Sequence, residues 1–589
     1  MKVMKRATSD FGTVALHWIL VGAFIAAALT GLRMASDEPG LQWLMAFDAV
    51  LPVENLWLIH LTAALVLTAT LVAYAGYMVR ARLLRRIAFG PAQLRNLFAR
   101  GKLRWTALGL VAYWLLMFAL LAEIVTGLSL LSGIGGVALD WHLEAAWVCI
   151  AFPAAHMITH WLQGGANQLL RIVRPVRLVV APPPPDFAVL LAQHLSGDAE
   201  ADPPPTPAPA ETARRRPLIW ALTGAAVTVA IFAVAEPMTR QKLVMADLGS
   251  AAPPHLDGDL SDPAWTLAPV TRVLTQHGAN FGGSGESLVE VRAVHDATTA
   301  YFAFTWTDPT RSLKQLPLVK KADGWHVAQT AHDRADETAY FEDKFSVLIA
   351  RPVLPLLGAA IHLAARPLGN NPPSLTGRGL HYTANGTMAD VWQWHADHAD
   401  IIDDGYFGPP MPADDQQRGG EARYKGGYTA ERGQERFTDN FVLARPRDYS
   451  KAVQPKRLPR RVATLTVSLG RVRNSPDLSE EEAAQWWLTP GDSIPYSQTA
   501  DDAIALNTVI PGVIVLKPDT DGDGPVGAAR WSAGRWTLTV ARKLTPAKGA
   551  GLPFTTGIMI WVAAFDHSET RHTRHLRPIT LEVQNGKAS

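Results

Sequence analysis

Residues 141–162 read WHLEAAWVCIAFPAAHMITHWL, twenty-two mostly apolar residues in a row. As a helix, that length crosses a hydrocarbon layer about 30 Å thick. The stretch nevertheless carries three histidines, His142, His156 and His160. At about 100° and 1.5 Å per residue, His142 and His156 leave nearly the same helix face, about 21 Å apart. Ionisable groups inside a membrane are costly, so this spacing carries information.

Four further stretches qualify as spans: residues 13–32, 56–79, 107–131 and 218–235. The first follows a basic start, as a signal peptide does. Its length, its internal His17 and the spans behind it point to a retained helix. Lys and Arg placement sets the direction. Lys2, Lys5 and Arg6 precede the first span, eight basic residues from Arg80 to Arg104 separate the second and third, and Arg171, Arg174, Arg177 and Arg214 to Arg216 separate the fourth and fifth. The loops 35–55 and 132–140 contain neither residue type. The N-terminus is therefore expected in the cytoplasm. Residues after about 237 are expected outside, in the periplasm if the cell is bacterial, and lipid is the first partner.

The 589 residues exceed one core, and almost all long apolar runs lie before residue 237. The expected organisation is a four-helix membrane domain over 1–176, a Pro-rich cytoplasmic linker over 177–216, a solitary anchor helix over 217–236 and a β-rich domain over 245–589. A net charge of +2 gives no reason to expect a nucleic-acid partner. The single cysteine, Cys149, excludes an internal disulfide framework and C-x-x-C-H haem attachment.

His60 lies near the outer end of the second span, level with His142. His17 lies near the cytoplasmic end of the first, level with His156. Two pairs at two depths suit two haems stacked across the bilayer, without thioether bonds. His160 returns to the same face and is an alternative to His156, with a solvated or propionate-contacting role as its plainer reading. Arg33 could pair with a haem propionate or snorkel to the interface. Glu123 reads as a carboxyl hydrogen-bonded to a neighbouring helix, or as a proton acceptor beside a quinol site.

The layout Ala15-Leu16-His17-Trp18, His60 and His142-x13-His156-x3-His160 resembles the bacterial cytochrome b561 family, which includes the cytochrome b subunits of nickel-iron hydrogenases. The resemblance covers about 170 residues. It implies a four-helix bundle that binds two b-type haems and exchanges electrons with membrane quinones.

From about Met245 the periodicity becomes that of strands. Residues 289–294, 300–306, 344–350, 463–469, 508–516, 535–541, 557–564 and 579–583 form the series, separated by Gly/Asp turns. Many short strands with such turns predict an all-β sandwich. The turn Asp519-x-Asp521-x-Asp523-Gly524 resembles the start of a calcium loop but lacks the closing Glu, so an ordinary solvated turn is the plainer reading.

Leu256-Asp257-Gly258-x4-Pro263-Ala264-Trp265, Trp306-x-Asp308, Met388-Ala389-Asp390-Val391-Trp392-Gln393-Trp394 and Arg535-Trp536-Thr537-x5-Arg542-Lys543-Leu544 together resemble the haem-binding domain of the ethylbenzene dehydrogenase γ-subunit and dimethylsulfide dehydrogenase relatives. The resemblance spans most of residues 250–583. It implies one further b-type haem between a Met and a Lys, and Met388 and Lys543 best suit those roles. Without the family, Met388 reads as a core-filling residue and Lys543 as a surface lysine. His381, His395 and His398 are alternative ligands, because relatives often carry a Lys after the Trp-x-Trp pair.

The function expected is a membrane electron conduit, either a carrier or the membrane subunit of an oxidoreductase. It would link the quinone pool, two membrane haems, a third haem outside and a periplasmic redox protein such as a c-type cytochrome or molybdoenzyme. No nucleophile triad or molybdenum motif accompanies it. A membrane-anchored ligand-binding module, carbohydrate-binding-like and without external haem, is the alternative from another class. A superoxide- or ferric-reducing enzyme is a third.

Overall fold

A computed structural model describes residues 7–36, 41–47, 50–52, 56–132, 137–177, 211–282, 285–328, 340–351, 361–363, 381–383, 388–396, 402–408, 428–430, 437–443, 450–462, 486–516, 524–547, 551–568, 572–575 and 577–584. Apart from two short segments, 46–56 and 128–139, the chain divides into two compact units at Met238–Thr239.

The helical unit contains α1 (Phe11–Ala35), α2 (Leu56–Arg80), α3 (Lys102–Leu131), α4 (Val137–Leu169) and α5 (Glu211–Met238). All five contain stretches long and apolar enough to cross a membrane, and between 6% and 28% of each such stretch is buried. Phe118, Leu222 and Ile231 lie exposed along α3 and α5, which suits contact with acyl chains rather than water. Asp10 caps α1 by accepting from Thr13 N–H at 2.9 Å, and it also accepts from the Tyr77 hydroxyl of α2 at 2.7 Å. Gly12 lets Tyr77 come this close, since a Cβ at position 12 would lie 2.3 Å from its ring.

The anchor helix is not solitary. Ala221 of α5 packs in one cluster with Leu16, Ala73 and Tyr77, and the Arg80 guanidinium lies 4.0 Å over the Trp220 ring. Gly76 and Gly224 thin the contact, as small residues do where membrane helices approach. The apolar period of the fifth span signals a crossing but not which neighbour it packs on. The linker expected over 177–216 lies almost wholly outside the described residues.

The β unit is built on one twelve-stranded sheet: β1 (Lys242–Asp247), β2 (Thr271–Thr275), β3 (Ser287–His295), β4 (Thr299–Thr307), β5 (Lys344–Ala350), β6 (Ala389–His395), β7 (Ile402–Phe407), β8 (Tyr428–Ala430), β9 (Val526–Ser532), β10 (Arg535–Lys543), β11 (Met559–Phe565) and β12 (Ile579–Val583). Its order is β8-β7-β6-β5-β11-β12-β1-β3-β4-β10-β9, with β2 also on β3. The sheet nearly closes: Ile402 of β7 reaches within 3.1 Å of where a Cβ would stand on Gly527 of β9, near the opposite edge. The two expected sandwich layers are therefore halves of one curled sheet. Alternate residues of β4, β6 and β10 fill it, with Phe302, Phe304, Trp306, Trp392, Trp394 and Trp536 all buried. Of the expected strands, only 463–469 lies outside the described residues.

Candidate functional site

His60 stands near the start of α2 and His142 near the start of α4, and their ring centroids are 6.3 Å apart. His60 Nδ1 lies 3.1 Å from the Ala27 carbonyl and 3.0 Å from Thr30 Oγ1 on α1. A carbonyl only accepts, so Nδ1 carries the proton and Nε2 is left with its lone pair. His142 repeats this on α3, with Nδ1 2.9 Å from Thr126 Oγ1 and 2.9 Å from Glu123 Oε2. Both rings pass close to a glycine: a Cβ at Gly31 or Gly127 would lie 3.4 Å from the Cε1 of His60 or His142.

His17 of α1 faces His156 of α4 with centroids 6.4 Å apart. Phe152 and His160 flank the His156 ring at 5.1 Å and 4.5 Å. His160 itself is hydrogen-bonded through Nδ1 to Gln163 Oε1 at 3.2 Å, one turn further along α4.

These separations can be tested against an iron between the rings. A ligating nitrogen lies about 2 Å from the metal and about 1.1 Å from its own ring centroid, so two axial imidazoles have centroids about 6.2 Å apart. Both pairs match that spacing. An acceptor on the nitrogen turned away from the metal is the usual way a ligating imidazole is oriented, and the His60–His142 pair has one on each ring. Arg33 is 1% exposed and donates to Ser36 Oγ at 2.9 Å, so its guanidinium is inside the protein rather than at an aqueous rim.

In the β unit, Met388 is half-buried just before β6 and packs against the core, while Lys543 is exposed at the end of β10. A fully buried ion pair between Asp390 and Arg542 ties these two strand ends together, beneath Trp392 and Phe554. Met388 and Lys543 thus share one end of the sheet, where the ion pair joins their two strands. His395 lies at the other end of β6, where its Nδ1 is 2.7 Å from Glu342 Oε1. The His381 side chain and His398 lie outside the described residues.

A family model for ethylbenzene dehydrogenase matches residues 262–577, more than half of the chain, and one for prokaryotic cytochrome b561 matches residues 9–175. The chain belongs to the ethylbenzene dehydrogenase family, and its first part is similar to prokaryotic cytochrome b561. It carries five helices apolar enough to cross a membrane, and the cytochrome b561-like part precedes the ethylbenzene dehydrogenase part. No curated protein is similar enough to count as a match. Among solved structures, a family 9 carbohydrate-binding module from Caldicellulosiruptor kristjanssonii in complex with glucose is 7% identical, with a TM-score of 0.20 over 59% of this chain and 98% of its own. A putative carbohydrate-binding protein from Bacteroides uniformis is 6% identical, with a TM-score of 0.23 over 59% and 100%.

Histidine spacing alone does not single out the groups that orient the rings of the cytochrome b561 part. Thr30 with Gly31 and Thr126 with Gly127 serve His60 and His142 in matching ways. The tripeptide Thr-Gly-Leu at 30–32 recurs at 126–128, each time in the helix preceding the histidine-bearing one. That repeat is the signal that finds them. Its asymmetry is chemical: where Ala27 offers a carbonyl, Glu123 offers a carboxyl group.

Proposed function

We propose that the chain carries electrons across a bacterial inner membrane through two b-type haems in the helical unit, one between His60 and His142 and one between His17 and His156. The observation that carries this reading is the pair of centroid separations, 6.3 and 6.4 Å, each wide enough for one iron to be held between the two rings. Haem held there supplies one-electron transfer. The chain's own residues fix the ligand rings: Ala27 and Thr30 hold His60, Glu123 and Thr126 hold His142, and Gly31 and Gly127 keep the helices clear of both. Arg33 supplies a buried cation for a propionate. The basic loops support an N-terminus in the cytoplasm and a β unit in the periplasm.

Quinone is the proposed membrane redox substrate. An apolar groove lined by Ala23, Ala26, Leu58, Ile59, Thr62 and Val66 runs beside the His60 end of α2 and would admit an isoprenoid tail. In the β unit, Met388 and Lys543 are the proposed ligands of a third haem, facing a periplasmic redox protein. Their shared sheet end and the family match support this assignment.

A pyridine haemochrome assay with protein quantitation on the full-length protein tests the proposal. Three b-type haems are expected, falling to two in Met388→Ala and to two in His142→Ala. Two haems, unchanged by Met388→Ala, would remove the third haem and favour a ligand-binding β unit. None would overturn the proposal.

A further inference from the structure

The end of the β unit away from Met388 and Lys543 gathers acid. Asp308 follows β4, Asp343 precedes β5, and Asp566 and His567 follow β11. Strand register brings these positions together, because Lys344 pairs with Phe565, and Thr307 with Arg535 beside Trp536. Asp308 and Asp343 are 0% exposed and Asp566 1%. One ligand atom each from Asp343, Asp566 and His567 lies within 4.8 Å of the other two.

Two of the carboxylates are held by hydrogen bonds. Asp343 Oδ2 accepts from Ser312 N–H at 2.8 Å and Trp536 Nε1–H at 3.0 Å, and its Oδ1 accepts from His567 N–H at 3.1 Å. Asp566 Oδ1 accepts from the Thr310 hydroxyl at 3.2 Å and is hydrogen-bonded to His567 Nδ1. Thr310 also donates its N–H to Asp308 Oδ1 at 3.2 Å, which sets the Asp308 carboxyl beside that of Asp566. Asp308 Oδ2 is buried there with no hydrogen-bond partner. Burial, then the charges of Asp343 and Asp566, push Asp308 well above the usual carboxylate range, and burial and Asp566 raise Asp343 likewise. Buried carboxylates crowded in this way are unstable as anions unless a cation joins them.

We propose that Asp308, Asp343, Asp566 and His567 form a site for one hard divalent cation of the calcium class. Three carboxylates to one imidazole is an oxygen-rich donor set, the kind that suits calcium over softer metals. The cation would tie together the segments after β4, before β5 and after β11, far apart in sequence. It lies at the opposite end of the sheet from Met388 and Lys543, so its role is to hold the β unit together.

Calcium chloride titrated calorimetrically into full-length, EDTA-treated protein in detergent tests this. One equivalent should bind, and a hundredfold excess over the dissociation constant should raise the unfolding temperature of the β unit by about 4 °C. Asp308→Asn distinguishes a cation site from a protonated acid cluster by sign. With a cation site, the variant loses the calcium-induced rise and unfolds earlier than wild type in calcium. Without one, it relieves like-charge repulsion and unfolds later than wild type in calcium and in EDTA alike, which would overturn the proposal. Asp343→Asn serves as the second variant should the first fail to fold. Asp519→Asn, in the Asp-rich turn, should leave the binding heat intact, and its loss there would place the cation elsewhere. Absence of any calcium heat, or tighter binding of zinc than of calcium, would also contradict the assignment.

Discussion

His60 in the helical unit and His575 in the β unit are both imidazoles drawn away from water, and they use their ring nitrogens differently. His575 uses both: its Nδ1 is bonded to the Arg577 carbonyl at 2.7 Å, and its Nε2 accepts from Val562 N–H at 3.0 Å. His60 uses Nδ1 alone, on Ala27 and Thr30, and presents its other side to His142 at 6.3 Å. A histidine with both nitrogens committed to the backbone is a packing residue. One held by a single nitrogen and faced by a second imidazole is built to take a ligand between them. The number of committed nitrogens, not burial, separates the two roles.

The largest test of this contrast is substitution at each site. His60→Ala should remove one haem from the purified protein, while His575→Ala should leave haem content unchanged and lower the unfolding temperature of the β unit. Equal haem loss from both would erase the distinction. Next in size, Arg542→Ala leaves Asp390 buried and unpaired, which costs about 3–5 kcal/mol for a fully desolvated pair. Urea unfolding should show that loss in the β unit, with the haem spectrum of the helical unit retained.

A third test uses pH. Burial, only partly opposed by the hydrogen bond to Arg577, holds His575 down to about 4 from its ordinary 6.5. The unfolded chain then binds a proton below pH 6.5 that the folded chain refuses. The His575 contribution is therefore complete above that pH and lost as pH falls towards 4. Measured as wild type minus His575→Gln, so that other groups cancel, stability should fall by about 2 to 3 kcal/mol across that window. A flat difference would mean that His575 takes up its proton as readily in the folded chain as in the unfolded one.

The smallest effect sharpens the comparison inside the helical unit. Glu123 gives His142 an acidic partner where His60 has a carbonyl, and a stronger acceptor on Nδ1 makes a stronger ligand. Glu123→Gln should raise the midpoint potential of one membrane haem and leave the other in place. Redox titration followed at the α-bands reads this directly, and two unmoved midpoints would assign Glu123 to packing.

The helical unit was largely legible because its chemistry repeats at helical period. The spans, the pairing of His17 with His156 and of His60 with His142, and the depth between pairs all follow from 3.6 residues per turn. The docking of α5 on α2 was not, since it depends on Gly76 and Gly224, whose role shows only once a partner is beside them. In the β unit the strand positions were legible from alternation, but their order was not. Asp308, Asp343 and Asp566 lie in three separate segments, and only strand register brings them together. The same holds for Asp390 and Arg542, which flank the expected ligands Met388 and Lys543 without any sequence signal of pairing.

The most direct test of the central claim is haem content together with low-spin electron paramagnetic resonance on His17→Ala and His142→Ala. Each variant is expected to lose one haem and one bis-imidazole signal, a different signal in each case, with the other membrane haem retained. If both variants keep the full haem complement and both signals, the two pairs are not the ligands and the account of the helical unit is wrong.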